Sequence, residues 1–305
     1  MSKFHRVLAA VDFSEAARAA FDHALALSRM HDAELLVVHA VPTDRLFKWD
    51  GRERIALIGA LRRAAQAEGV RFKVSVQHGD PAGVILLHAS ARRPDLIVLG
   101  TSKRSRLDRF RLGSVAEAVS LEATQPVLVV PKASDNAADT VTPFKNVLVA
   151  VGFAAGSGDA VDRALSIAGG EGRVTVVHVV RGEPFGRAYR YPYRLMEPEY
   201  QRQLARDAWR RIAELVPINA ATSRKVHTRV VTGDPAAEIS RVAKEVGADL
   251  ILMGATTRGA IGRLLFGSTA ARVIRTAEVA VLTTPPVPEK VNGPLSDEEQ
   301  FAVAA

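Results

Sequence analysis

Two segments of the sequence carry glycines and a serine at a spacing that can hold an anion. A glycine lets the backbone approach a ligand closely, and a Gly-Ser pair that opens a helix offers free N–H groups, a hydroxyl and the helix dipole. Glycines at such positions can also be present only because a turn requires them. The main support for an anion site is therefore that the same spacing occurs in both segments. In each segment a glycine precedes a Gly-Ser pair by thirteen positions: Gly100 and Gly113-Ser114, then Gly254 and Gly267-Ser268.

The loop between Gly100 and Gly113 is basic, with a single acid, Asp108. Its cations could flank a bound polyphosphate, or they could form a solvated loop and helix face. Arg104 and Arg109 recur in the second segment as Arg258 and Arg263, so these arginines are the first to test. The five cations of the loop are Lys103, Arg104, Arg106, Arg109 and Arg111.

The other polar residues do not assemble a catalytic or metal-binding pattern. Asp12 could act as a general base, but no nucleophile, base and orienting group can be assembled around it. The sequence has no cysteine, and its eight histidines are not spaced as metal ligands. His39 and His178 lie at matching strand ends, where we expect them to pack or to form hydrogen bonds. P-loop and dinucleotide glycine motifs are absent, so we predict no catalytic residue and no metal.

The elements that position these residues come in two copies. Phe4–Phe13 aligns with Phe144–Phe153. Gly79–Pro131 aligns without a gap with Gly233–Pro285, and about 20 of 53 positions are identical. A repeat of this length indicates a duplicated domain.

Each copy alternates short Val/Leu/Ile runs with longer segments of helical spacing. Continuous apolar runs are typical of strands covered on both faces of a parallel sheet. Ser14 is a predicted helix N-cap, and Pro81 stands where a first helical residue needs no N–H. The pattern predicts an α/β fold with two tandem doubly wound domains, each a five-stranded parallel sheet with helices on both faces. The strands predicted in the first copy are Arg6–Val11, Glu34–Val41, Phe72–His78, Asp95–Gly100 and Pro126–Val130, and the helices are Glu15–Met30, Arg52–Glu68, Pro81–Ala91 and Ser114–Ala123.

Composition shifts divide the chain into domains at residues 1–132 and 143–286. The connecting stretch Lys132–Thr142 is rich in Ala, Ser, Asp and Asn, and residues 287–305 have the composition of a loose tail. The second copy is longer because of an insertion at Gly182–Tyr200, which holds all four tyrosines and three arginines. That insertion is predicted either to pack as a loop on its own domain or to form an interface.

Charge and hydropathy narrow the classes of partner. The formal net charge is +8, but the basic residues are spread along the chain and no nucleic-acid motif accompanies them, so nucleic acid is not favoured as a partner. No apolar run approaches the ~20 residues that span a bilayer, and the N-terminus has no apolar signal segment. We therefore expect a cytoplasmic protein with no membrane association.

These motifs together resemble the universal stress protein family. The family carries a strand, then G-x2-G-x9-G-(S/T), a helix and a final strand, and the sequence has Gly100, Gly113-Ser114 and Pro126-Val127-Leu128-Val129-Val130 at that spacing. It also has the opening strand followed by Asp-x-Ser, as Asp12-Phe13-Ser14. The resemblance covers both copies and implies the adenine-nucleotide α-hydrolase-like fold. It also implies that the last strands of the two copies pair to form a pseudo-dimer within the chain, and it leaves a homodimer of two chains open.

Some members of this family bind ATP, and the resemblance predicts which residues here would do so. Asp12 and Ala40 would contact adenine and ribose, while Gly100, Gly113, Ser114 and Val115 would hold the phosphates. Lys103 replaces the second glycine of the motif, where it could reach a phosphate or fill its space.

The second copy departs further from the motif. It keeps Gly254, Gly267 and Ser268, but Gly152 replaces the aspartate and Thr257 replaces the second glycine. Its first loop, Ala154–Asp159, is glycine-rich and could present N–H groups to an anion or form a flexible helix start. We therefore predict one nucleotide site, in the first copy, and one degenerate site.

The function that the resemblance implies is a stress-response protein that binds ATP in at least its first domain. It would act as a regulatory or sensing module through protein partners, with at most slow, incidental ATP hydrolysis. The alternative is a nucleotide-free tandem scaffold, which Lys103, Thr257 and Gly152 favour. An adenylating or ATP-pyrophosphatase relative would need a Ser-Gly-Gly-type loop, which Asp12–Glu15 does not supply.

Overall fold

The structure is a computed structural model of the chain, and part of the chain is described in it. Several sequence predictions lie outside that part: Lys103, Gly113 and Gly267 with their loops, the connecting stretch after Lys132, and residues 287–305. Of the predicted insertion, only the last three residues are described, and they begin a helix. The described residues are 4–42, 51–101, 114–132, 144–154, 156–169, 171–181, 198–217, 225–254 and 268–285.

The first half alternates strands and helices as the sequence predicts, and no bound is shifted by more than one residue. The strands are β1 (Arg6–Ala10), β2 (Glu34–Val41), β3 (Phe72–His78), β4 (Leu96–Thr101) and β5 (Val127–Pro131). The helices are α1 (Glu15–His31), α2 (Gly51–Ala67), α3 (Pro81–Arg92) and α4 (Ser114–Glu122).

The second half repeats this order. Its strands are β6 (Asn146–Ala150), β7 (Arg173–Arg181), β8 (Val226–Gly233), β9 (Leu250–Gly254) and β10 (Ala280–Thr284). Its helices are α5 (Ser157–Ala168), α6 (Pro198–Leu215), α7 (Pro235–Glu245) and α8 (Ser268–Thr276). Among the described helices, none is both long and apolar enough to cross a membrane.

Side-chain caps fix where the helices begin. The Ser14 hydroxyl accepts a hydrogen bond from the Ala17 N–H at 3.2 Å, so Ser14 is the N-cap of α1, as predicted. Pro81 is the first residue of α3, where its missing N–H is not needed. The residue aligned with Ser14 is Ala154, which has no cap oxygen, and α5 starts only at Ser157.

The sheet within each half is parallel and doubly wound. The strand order is β3-β2-β1-β4-β5 in the first half, with the mirrored order β10-β9-β6-β7-β8 in the second. Helices α1, α2, α5 and α6 cover one face, and α3, α4, α7 and α8 cover the other. The order reverses between β1 and β4, which is where ligands bind in open α/β sheets.

The two predicted sheets form one ten-stranded sheet, because β5 and β10 pair antiparallel. Leu282 lies opposite Leu128 in this seam, and the Thr283 hydroxyl donates a hydrogen bond to the Val127 carbonyl at 3.2 Å. The last strands therefore join the halves within the chain, as the family resemblance implies.

Candidate functional site

A cleft of about 740 Å³ lies at the carboxyl ends of the first-half strands, at the reversal of strand order. Its floor comes from β1, β2 and β4, and its walls come from the first turns of α1, α3 and α4. Most of the lining is apolar, including Val38, Ile85 and Leu99, while Asp12 and Ser114 are polar. This volume falls within the range of small-molecule sites.

Five of the predicted first-half residues meet in this cleft. Asp12 follows β1, Ala40 lies near the end of β2 and Gly100 lies near the end of β4. Ser114 and Val115 form the first turn of α4, with Ser114 exposed. These residues lie far apart in sequence, and the parallel strands bring them to one edge of the sheet.

The Asp12 carboxylate is held by the start of α1. Its Oδ1 accepts hydrogen bonds from the Ser14 N–H at 3.0 Å and from the Ser14 hydroxyl at 2.6 Å. Phe13 between them has a φ of 62°, a left-handed conformation that a bulky residue seldom adopts. Ser14 therefore serves twice, since it caps α1 and fixes a carboxylate at the cleft.

His39 fastens the same loop to the sheet. Its Nδ1–H donates to the Val11 carbonyl at 2.7 Å, and its ring lies 4.7 Å from that of Phe13. Burial lowers the pKa of His39, which keeps the imidazole neutral at neutral pH. The second half repeats the arrangement, with His178 Nδ1 bonded to the Val151 carbonyl at 2.8 Å. Both histidines therefore form hydrogen bonds, as the sequence predicts.

Gly100 has a packing role that the sequence did not reveal. A Cβ built at Gly100 would lie 2.3 Å from the Ala16 carbonyl oxygen and 2.6 Å from the Ala17 nitrogen. The first turn of α1 therefore passes directly over the end of β4, and only a glycine allows that approach. The glycine shapes the cleft by bringing α1 close, whatever ligand the cleft holds.

The second half does not reproduce this geometry. Among the described residues, a Cβ at Gly254 would meet only the Thr284 hydroxyl, at 3.9 Å, and α5 starts later than α1 does. Gly152, which replaces Asp12, has no atom of the described residues within 4 Å of its Cβ position. Gly254 and Ser268 are exposed at the ends of β9 and α8. The second half thus has a glycine where the first has Asp12, as the sequence predicts, and its described residues show no close helix approach at Gly254.

An ion pair specific to the second half joins α7 to α8. Both Arg272 terminal nitrogens donate to the Asp234 carboxylate, at 2.8 and 2.9 Å, and these bonds hold the pKa of Asp234 below its usual range. The aligned first-half residues are Asp80 and Ala118, which cannot form such a pair. The ion pair was not predicted from the sequence, although the alignment of Arg272 with Ala118 was a signal that could have revealed it.

Three kinds of group line the cleft. They are the fixed carboxylate of Asp12, the N-terminus of α4 with the Ser114 hydroxyl, and an apolar floor. Over the described ranges, no group of three or more metal-ligating side chains comes together. A ligand with a flat apolar part, hydroxyls and an anionic end fits this distribution of groups.

Comparison with known proteins decides the family. The model of the universal stress protein family matches residues 3–131 and again 143–285. The chain belongs to the universal stress protein family. A universal stress protein of Mycobacterium tuberculosis is 27% identical over 289 residues, covering 86% of this chain and 93% of the relative. The tandem arrangement is therefore shared with a mycobacterial relative.

Shorter relatives match one half. A universal stress protein of Methanocaldococcus jannaschii is 30% identical over 144 residues, covering 42% of this chain and 83% of the relative. One of Thermus aquaticus is 36% identical over 135 residues, covering 42% of this chain and 98% of the relative. These relatives carry one copy of the unit that this universal stress protein has twice.

Solved structures share the whole two-domain fold. A universal stress protein from Archaeoglobus fulgidus has a TM-score of 0.65 at 21% identity, covering 92% of this chain and 98% of its own. A protein of unknown function from Pseudomonas aeruginosa has a TM-score of 0.65 at 19% identity, with 93% of each chain covered. The likeness is one of fold across both halves of the chain.

Proposed function

We propose that this universal stress protein binds ATP in its first-half cleft and acts as a regulatory module in the stress response. The observation that carries the proposal is the convergence of Asp12, Ala40, Gly100, Ser114 and Val115 on one cleft. The family motif picks out these residues without reference to a structure. Their meeting at the reversal of strand order is what a nucleotide site requires.

Each part of the cleft suits a different part of ATP. The apolar floor near Val38 and Ala40 suits the flat adenine ring, and Asp12 can accept hydrogen bonds from ribose hydroxyls. The first turn of α4, with the Ser114 hydroxyl, offers N–H groups and the positive end of the helix dipole to the phosphates. Binding, rather than catalysis, accounts for every group named here, with any hydrolysis slow and incidental.

The second half is proposed to lack an equivalent site. Gly152 offers no carboxylate, and α5 does not approach Gly254 as α1 approaches Gly100. One ATP per chain follows from this difference.

A nucleotide-free scaffold that acts through protein partners is the second candidate. Its support is the contact between Gly100 and the Ala16 backbone, which gives a reason for that glycine without any ligand. Asp12 likewise has a structural partner, since Ser14 donates two hydrogen bonds to it. Under this reading the motif residues are kept for the fold alone.

Direct measurement of bound nucleotide separates the two candidates. The protein is purified without added nucleotide, denatured to identify any released ligand, and the folded protein is titrated with ATP by calorimetry. We expect one saturable site per chain, with affinity lowered about tenfold or more in Asp12→Asn, because a hydrogen bond to a charged group is lost. Asp22→Asn, a carboxylate elsewhere on α1, is the matched control and should bind as the wild type does. No binding at millimolar ATP would leave the scaffold as the function.

A further inference from the structure

The two halves also meet through α1, in addition to the strand seam. His23 of α1 stacks on Phe144, the residue two positions before β6, with ring centroids 5.4 Å apart and planes 29° apart. The His23 Nδ1–H donates to the Ala19 carbonyl at 2.9 Å within the same helix. A titratable ring therefore lies in this contact of α1 with Phe144, which is a joint between the first half and the second.

The position equivalent to His23 in the second half holds a different side chain. Arg163 of α5 aligns with His23, and it lies in the field of Asp95 just as His23 lies in that of Asp249. Arginine keeps its charge at all physiological pH values, whereas histidine does not. Position 163 is therefore permanently charged, whereas the equivalent position 23 is titratable. Each aspartate accepts hydrogen bonds from two backbone N–H groups: His5 at 2.6 Å and Arg6 at 2.9 Å for Asp95, Lys145 at 2.8 Å and Asn146 at 3.1 Å for Asp249.

The surroundings of His23 oppose its protonation. Burial is the largest influence and lowers the pKa of the imidazole. Two carboxylates act in the other direction, Asp22 on α1 and Asp249 from the second half, together with the bond to Ala19, but they do not outweigh burial. The folded pKa lies below the unfolded value, so the unfolded chain takes up the proton first as the pH falls. The stability that the neutral His23 imidazole contributes is fully present above about pH 6.5 and is lost as the pH falls below that value.

We propose that His23 makes this joint acid-sensitive, so that protonation of its ring weakens the docking of α1 on Phe144. Arg163, at the position equivalent to His23, keeps its charge over the same pH range and gives no matching response. The strand seam between β5 and β10 contains no titratable side chain among its paired residues, and it holds the halves together while α1 loosens. The proposal concerns the joint alone and holds whether or not the cleft binds ATP.

Hydrogen exchange of the full chain at about pH 7.5 and about pH 5.5, without nucleotide, tests the proposal. Protection factors, corrected for intrinsic exchange, should fall at the lower pH in two segments, Ala19–Ala24 and Phe144–Val147. The fall should reach up to about tenfold for each unit by which folding lowers the His23 pKa. In His23→Gln, which has no titratable ring, the fall in both segments should disappear.

His88→Gln is the matched control, because His88 makes the same hydrogen bond to the carbonyl four residues earlier but lies on α3, away from the joint. It should behave as the wild type does. His23→Phe, which keeps an aromatic ring against Phe144, replaces His23→Gln if that variant does not fold. A pH-dependent loss that persists in the His23 variant, or a wild-type loss spread evenly over both halves, would overturn the proposal.

Discussion

At the scale of single residues, aligned glycines differ in what surrounds them. Gly100 lies under the first turn of α1, where an added Cβ would come within 2.3 Å of the Ala16 carbonyl oxygen. In the described part of the chain, the atom nearest to a Cβ at Gly254 is the Thr284 hydroxyl oxygen, at 3.9 Å. Backbone cannot move aside as a side-chain tip can, so the two positions should respond very differently to one added methyl group.

Gly100→Ala should destabilise the protein by about 1–3 kcal/mol, because α1 must shift away from β4 to admit the new Cβ. The matched variant Gly254→Ala should stay within about 0.5 kcal/mol of the wild type. Urea unfolding followed by circular dichroism gives both free energies of unfolding. Equal losses in the two variants would contradict the close helix approach at Gly100.

The candidate site could be predicted from the sequence only where a motif names its residues. Asp12, Ala40 and Ser114 follow from motif spacing, and parallel strands necessarily bring such positions to one edge of the sheet. The packing of Gly100 could not be predicted, because it depends on how closely α1 docks on β4. The Asp234–Arg272 pair was missed for the same reason, since its partners belong to different helices.

At the scale of elements, the two halves begin corresponding helices with the same cap and different surroundings. Asp80 caps α3 by accepting from the Gly83 N–H at 2.9 Å, and Asp234 caps α7 by accepting from the Ala237 N–H at 3.0 Å. Only Asp234 also binds an arginine of the next helix. The Asp234–Arg272 ion pair therefore forms a clamp between α7 and α8, and the aligned residues of the first half cannot form this pair.

Asn substitutions separate the cap from the clamp, because asparagine caps a helix about as well as aspartate but carries no charge. Asp80→Asn should leave stability within about 0.5 kcal/mol, whereas Asp234→Asn should lose up to about 1 kcal/mol with its exposed ion pair. The stability that the clamp contributes is fully present above about pH 4. It is lost as the pH falls from there through the lowered folded pKa of Asp234. Urea midpoints at neutral pH and at about pH 3 check this. A difference between the variants that is undiminished at the lower pH would argue against the clamp.

The strands were the most predictable elements, since each is a continuous Val/Leu/Ile run that needs cover on both faces. The start of α5 was harder to predict. Its aligned cap position holds Ala154, and the helix instead begins behind Gly156, whose φ of 87° requires a glycine. A missing cap oxygen thus moved one helix start and left the end of β9 open.

At the scale of the whole molecule, the halves share one core as well as one sheet. Apolar side chains under α1, α2, α5 and α6 form a single cluster that includes Leu128 of β5 and Leu282 of β10. The family resemblance predicted the pairing of the last strands, and the two leucines face each other in its register. A shared core makes the two halves dependent on each other for stability.

Leu282→Ala tests this dependence at the centre of the seam. Leu282 is 2% exposed, so the truncation should cost about 2–5 kcal/mol. If the core is shared, hydrogen exchange in urea should quicken in β1 of the first half as well as in β7 of the second. Leu87→Ala on α3 is the control, because that leucine is 61% exposed and its loss should change stability by about 0.5 kcal/mol or less. Faster exchange confined to the second half would mean that each half is stable without the other and that the seam only joins two such domains.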